Sequence, residues 1–213
     1  MEQPLDPADE VGRDDAGVFS DQLEGWLTAE GPKTIGSLSE VFAEKAFAVT
    51  ILMLMFLPAL PLPTGGISHV VEVITVLLAF ELMVGRRTLW MPSKFARRNL
   101  GQATTGKAVP FMVRRIRFFE RYSRPRGAAL YSNRLFLSFT GVLVAILAIG
   151  AALAPPFSGL DTLPSLGVVV IALSIILEDL AIYLVGVLIG AGGLLLTWTL
   201  GSVIFSFLKG LFH

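Results

Sequence analysis

The chain has 213 residues, 54% of them hydrophobic and only 16% charged, with a mean hydropathy of +0.70. Ordinary soluble domains are more polar than this, so the composition predicts an all-α integral membrane protein. Seventeen basic residues balance seventeen acidic ones, and the absence of cysteine excludes disulfides and thiolate metal sites.

Residues 1–35 are acidic and turn-rich, and are read as a largely disordered tail. Leu23, Trp26 and Leu27 fall at helical spacing, so a short surface helix is expected to begin near Ser20. No short apolar core follows a basic start, so the first apolar run is expected to act as an uncleaved anchor. Residues 36–208 read as one membrane domain. Its apolar blocks lie at 46–63, 67–84, 135–154, 164–177 and 180–208, and several approach the roughly 20 residues of a spanning helix. They do not alternate as barrel strands would.

The first hairpin is assigned to residues 37–84. Ser37 and Glu40 have capping-box spacing and predict a helix start at about Ser37. Pro58, Pro61 and Pro63 then interrupt the apolar run, because proline lacks the amide hydrogen and disfavours helical geometry in the residue before it. Thr64, Gly65 and Gly66 permit a reversal, and a cleaner helix runs from Ile67 to Val84. On that helix His69 and Glu72 are spaced i, i+3 and share a face. Together with Thr64 and Ser68 they are the candidate binding groups at membrane depth, where an ionisable residue is costly and suggests a site. Glu81, Arg86 and Arg87 cluster at the far end, as an ion pair at the membrane boundary or a seat for an anionic headgroup.

The connection at 85–134 is strongly basic. Residues 86–134 carry thirteen Lys and Arg against the single acid Glu120, whereas residues 1–45 carry eleven Asp and Glu against Arg13, Lys33 and Lys45. The positive-inside rule places residues 86–134 in the cytoplasm and the chain in the inner membrane with several passes. Within the connection, Val109, Met112, Val113, Ile116 and Phe119 share one helical face, while Arg114, Arg115, Arg117, Arg121 and Arg124 fall on the other. This pattern fits a helix at the membrane interface, with its arginines towards anionic headgroups rather than nucleic acid.

A second hairpin, 135–179, repeats the first. Leu135 to Ala154 is apolar, Pro155 and Pro156 open a break, Asp161 offers a helix cap, and Leu166 to Leu177 leads to Glu178 and Asp179. Paired interrupted segments suggest an internal duplication and point to a binding region. Each tip either reaches the far surface or turns within the membrane as a re-entrant loop. Glu178 and Asp179 are expected on the cytoplasmic side, near Arg86 and Arg87. Residues 180–208 are too long for one simple crossing, and Gly190, Gly192 and Gly193 offer a break into two helices. Gly186 and Gly190 have GxxxG spacing, which suits packing within the chain or in a homodimer.

The series GSLSEVFAEKAF, FLPALPLPTGGIS, FELMVGRRTLWMP and SIILEDLAIYLVG, with the basic connection between the last two, resembles the ExoD family of bacterial exopolysaccharide-synthesis membrane proteins over about residues 35–208. That resemblance implies a membrane protein supporting exopolysaccharide synthesis or export, with the synthesis machinery as partner. It also implies a glutamine-like residue where this chain has Glu81 and an Arg-Asp-Gly-like turn where it has Glu178, Asp179 and Leu180. The sequence has no phosphate-binding glycine loop, HExxH or dinucleotide fingerprint, and only His69 and His213 as histidines. No catalytic residue, cofactor or metal is therefore expected. A small transporter or lipid scramblase using the paired tips is the first alternative to a non-enzymatic supporting role, and an enzyme acting on a lipid-linked sugar is the second.

Overall fold

The computed structural model describes residues 19–29, 31, 34, 42, 45–61, 66–84, 108–124, 126–155 and 158–211. The regular elements among them are all helices. We number these α1 (19–28), α2 (Ala46–Phe56), α3 (Gly66–Met83), α4 (Ala108–Tyr122), α5 (Ala128–Tyr131), α6 (Arg134–Ala152), α7 (Thr162–Leu177) and α8 (Leu180–Leu211). The expected helix start at Ser37, and Thr64, Pro63, Gly65, Arg86, Arg87 and Pro156, lie outside the described residues.

Two short helices form the centre. The sequence of α2, AFAVTILMLMF, has no polar face, and its residues from Ala46 to Met55 are all buried. Its helix ends where Pro58 requires it to: Leu57 is the C-cap, and the Ala59 amide makes one last bond to the Met55 carbonyl (3.1 Å) before the chain turns. Burial also surrounds α7, with Val168, Ile171, Ala172 and Leu173 all at 3% exposure or less. Around this pair stand α3, α6 and α8.

Contacts across the bundle fix the directions. At the α2 start, the Lys45 ammonium donates to the Ile176 carbonyl near the end of α7 (2.9 Å), so α2 and α7 are antiparallel. Arg134, at the start of α6, donates to the Val84 carbonyl just after α3 (2.9 Å), so these two are antiparallel as well. The α3–α6 and α2–α7 contacts are more extensive than those of α2 with α3 or α6 with α7. Each first arm therefore packs mainly against the second arm of the other pair. One end of the bundle, here the base, holds Lys45, Val84, Arg134 and the Glu178–Asp179 turn. The proline breaks lie at the other end, the tip.

Glycine permits the tightest crossings. A Cβ on Gly167 would sit 2.6 Å from the Gly190 backbone nitrogen and 2.9 Å from the Gly186 carbonyl oxygen, so α7 and α8 meet backbone to backbone. Gly141 meets α3 in the same way, 2.8 Å from the Ala79 carbonyl oxygen and the Met83 nitrogen. Gly186 and Gly190 thus have occupants within the chain, Ile171 of α7 and Leu147 of α6. The expected break at Gly190, Gly192 and Gly193 does not occur. Helix α8 is continuous for 32 residues, about 48 Å. Gly193 instead admits Pro164 and Leu163, so its missing side chain is used for packing rather than for a turn.

Part of the segment read as a tail is helical and packed, residues 19–28. Helix α1 docks on the bundle through Phe19, Leu23 and Trp26, with Leu23 completely buried and Phe19 edge-on to Phe42 at 5.4 Å. The pattern of Leu23, Trp26 and Leu27 marked a helix correctly, but its apolar face has a tertiary partner.

Gly167→Ala should destabilise the protein by about 1–3 kcal/mol, since neither backbone at the crossing can yield to a methyl group. Gly192→Ala, whose Cβ would meet nothing within 4 Å, should be neutral or stabilising by up to about 1 kcal/mol. Thermal unfolding of the two variants beside the wild type checks this, and equal losses in both would contradict the assigned crossing.

Candidate functional site

The inner face of α3 buries Ser68, Glu72 and Thr75, the last two completely, among the apolar Ile74, Leu78, Ala79 and Leu82, while its outer face exposes Val70, Val73, Leu77 and Phe80. A helix on a water-soluble protein would turn polar residues outward. The Thr75 hydroxyl satisfies itself on the Val71 carbonyl one turn back (2.9 Å). Glu72 has no such local solution. Its Oε2 meets His69 Nδ1 at 3.0 Å, as the i, i+3 spacing predicts, while Oε1 is buried with no hydrogen-bond partner among the described residues. His69 keeps 31% of its side chain exposed against 0% for Glu72, so it forms the open edge of the pair.

Asp161 belongs with this pair. The sequence suggests a helix cap, and Asp161 does occupy the N-cap position of α7, but its side chain makes no capping hydrogen bond. Only its backbone carbonyl takes part, accepting from the Ser165 amide (3.0 Å). Its carboxylate is instead close enough to Glu72 to act on it electrostatically. One turn further, the Ser165 hydroxyl is buried without a partner among the described residues, and so is that of Thr50 on α2. Neither was a candidate in the sequence, because a single hydroxyl in an apolar run gives no periodic signal. Among the described residues no three His, Cys, Asp or Glu side chains come together to hold a metal ion.

The acidic residues at the base have structural duties. Glu178 is the C-cap of α7 in the left-handed conformation (φ 55°), and its carboxylate pairs with Lys45 at 3.3 Å. The two halves do meet through this acid, with Lys45 as a partner that sequence reasoning missed; Arg86 and Arg87 fall outside the described residues. Asp179 is buried and accepts from the Arg124 amide (3.0 Å), the Ser123 hydroxyl (3.4 Å) and the Ala181 amide (2.9 Å). It caps α8 and holds the end of the basic connection on the bundle. Glu81 is half-buried near the end of α3. Near Asp179 and Glu178, burial pushes the Tyr131 phenol up to about 12.

Helix α4 has three faces. Val113 and Ile116 are buried, while Phe111, Phe118 and Tyr122 form an exposed aromatic stripe. Arg114, Arg115, Arg117 and Arg121 are exposed as well, with the Arg115 guanidinium 5.0 Å from the centre of the Phe111 ring. Arg117, expected to face headgroups, donates instead to Asp21 (3.1 Å) and Glu24 (2.8 Å) of α1. Beneath that pair the buried Glu120 accepts from the Ser20 amide at the start of α1 (2.8 Å). The acidic beginning and basic middle of the chain are therefore partners.

A bundle whose described elements are all helical, with apolar outer faces and a buried carboxylate inside it, defines the class of protein. The family profile described as "Exopolysaccharide synthesis, ExoD" matches residues 19–199, and the chain belongs to that family. The family name implies a role in exopolysaccharide synthesis. The chain is also similar to a protein of Synechocystis sp. (strain ATCC 27184 / PCC 6803 / Kazusa) described as uncharacterized, at 28% identity over 202 residues, 90% of each chain. No solved structure matches it.

Burial raises the Glu120 carboxyl above its ordinary range, against a lowering effect of the Ser20 amide. The folded state thus holds this proton more tightly than the unfolded chain, so its contribution to α1 docking is full below the ordinary carboxylate range and is lost as pH rises through the raised value. Glu120→Gln keeps an acceptor and removes the charge. Amide exchange over residues 19–28 should be slower in Glu120→Gln than in wild type at neutral pH, and the difference should vanish in acid. Faster exchange in the variant at neutral pH would show that the carboxylate charge itself holds α1.

Proposed function

We propose that this chain is a multi-pass protein of the bacterial inner membrane that supports exopolysaccharide synthesis or export without catalysing a reaction itself. The observation that carries the membrane reading is an apolar outer surface around an enclosed carboxylate. Exposed apolar residues run in helical stripes along α3, along α6 (Leu135, Phe139, Val142, Ile146, Ile149 and Leu153) and along α8 (Leu184, Leu188 and Leu195), while Glu72 is enclosed. Water would favour the opposite arrangement, and lipid favours this one. By length and composition, Arg134–Ala152 and Leu180–Leu200 are long and apolar enough to cross a membrane.

The helical pairs α2–α3 and α6–α7 are two related hairpins in this reading. Their reciprocal packing, α2 on α7 and α3 on α6, is what a twofold relation between duplicated units would give. Helix lengths favour re-entrant hairpins. With 11 and 16 residues, α2 and α7 are about 16 and 24 Å long, less than the roughly 30 Å hydrocarbon core. Thr197 of α8 donates to the Leu160 carbonyl at the second tip (3.1 Å), and α8 then continues to Leu211, about another 21 Å. The second tip thus ends partway along α8, which among the described helices is the one long enough to cross the whole bilayer with its interfaces.

The base carries Lys45, Arg134 and, at the end of α4, Arg124, and this charge supports a cytoplasmic base under the positive-inside rule. Helix α4 runs along the bundle, from Phe111 beside Phe56 at the far end of α2 (ring centres 6.3 Å apart) to Arg124 at the base. Its aromatic stripe thus faces lipid, and Arg121, in its last turn, is the α4 arginine nearest the anionic headgroups. A second reading, a small transporter or scramblase, is favoured by one observation: a completely buried Glu72 between proline-broken hairpins. In that case Glu72→Gln abolishes flux in liposomes.

Labelling of single cysteines by an impermeant maleimide, in this cysteine-free background, tests the topology. Ser132→Cys should react only from the cytoplasm, His213→Cys from outside, and Thr64→Cys and Ser158→Cys slowly from either side. Reaction of Ser158→Cys from outside as fast as His213→Cys would replace the re-entrant hairpins by full crossings. Reaction of Ser132→Cys from outside would reverse the orientation.

A further inference from the structure

The charged groups that face Glu72 are few. Helix α2 has no ionisable residue between Ala46 and Phe56, and α7 has none between Thr162 and Leu177. On α6 the single ionisable residue is Arg134, engaged with the Val84 carbonyl at the base. On α3 itself Glu81 lies nine residues on, about 13 Å towards the base. Among the described residues this leaves His69, 3.0 Å away, and Asp161, whose negative charge repels that of Glu72.

A bare carboxylate in such surroundings is costly, and a second negative charge nearby raises the cost. A single proton makes the pair neutral, whether it rests on Glu72 Oε2 or on His69 Nδ1. The 3.0 Å separation allows it to pass between them without a rearrangement of the helix. His69 gives the enclosed carboxylate an edge open to the outside of the bundle, and the unpartnered Oε1 faces the interior.

We propose that Glu72 and His69 form a proton-binding site, loaded through the exposed edge of His69. Proton occupancy then sets the charge of the interior beside the broken ends of the hairpins. This inference deepens the transport reading and relies on the bilayer to keep the site dry. It assigns the bound species as a proton.

Infrared difference spectroscopy across a pH series, on the full chain in nanodiscs of phosphatidylethanolamine and phosphatidylglycerol, tests it. Wild type should show a protonated-carboxyl band that disappears as pH rises and is absent in Glu72→Gln. His69→Gln, which removes the 3.0 Å partner of the carboxylate, should move the transition to higher pH. That shift keeps the test decisive if Glu72→Gln does not fold. A band unaltered in Glu72→Gln, no titrating band, or the wild-type midpoint in His69→Gln would overturn the proposal. Detergent extraction of the same wild-type preparation separates the two readings. Protein released only by detergent but without the band overturns the proton site alone, whereas protein recovered without detergent overturns the membrane reading.

Discussion

A helix broken by proline leaves backbone carbonyls and amides without partners, and in apolar surroundings each such group costs several kcal/mol unless protein encloses it. Two segments of this chain, α2 and α7, end or begin at such breaks and have no polar face to offer water. They must lie inside. Enclosing them takes three further helices, and those helices must approach closely because the enclosed pair is short. The backbone contacts at Gly167 with Gly190 and at Gly141 with Ala79 are the means. From this constraint follow the cross-packing of α2 on α7 and α3 on α6, and the unbroken length of α8 beside them.

The two ends of the bundle use charge differently. At the base, acids have visible work: Asp179 caps α8 and holds the Ser123–Arg124 backbone, Glu178 meets Lys45, and Asp21 and Glu24 meet Arg117. The exposed ion pairs add at most about 1 kcal/mol each, whereas the buried Asp179 satisfies three donors and matters more. Nearer the tip, Glu72 has one partner and one orphan oxygen. Structural need accounts for the first set and leaves Glu72 unexplained.

Local features were legible in the sequence. The prolines fixed the break after α2, the i, i+3 spacing brought His69 to Glu72, and the arginine and apolar faces marked α4. Non-local ones were not. Glycine reads equally as a breaker or as a place for close approach, and only the presence of Pro164 and Leu147 opposite α8 decides for packing. Asp161 is separated from Glu72 by 89 residues, and its likeness to a helix cap concealed its position. The docking of α1 was hidden for a similar reason: an acidic, turn-rich segment looks unable to fold until its apolar residues meet a surface supplied by residues a hundred positions on.

The contrast between a scaffold and a transporter comes down to that one carboxylate. A scaffold needs a stable bundle and an outer surface, and neither gains from a buried Glu72. An apolar residue of similar volume would fill the same space, satisfy the same packing and avoid the desolvation of an ion, which commonly makes such replacements neutral or stabilising. At Glu72 one carboxylate oxygen has His69 as its partner and the other has none among the described residues. Such a cost, placed beside the interior ends of two broken hairpins and connected to the exterior by one half-exposed imidazole, makes physical sense if the charge at that point has to change.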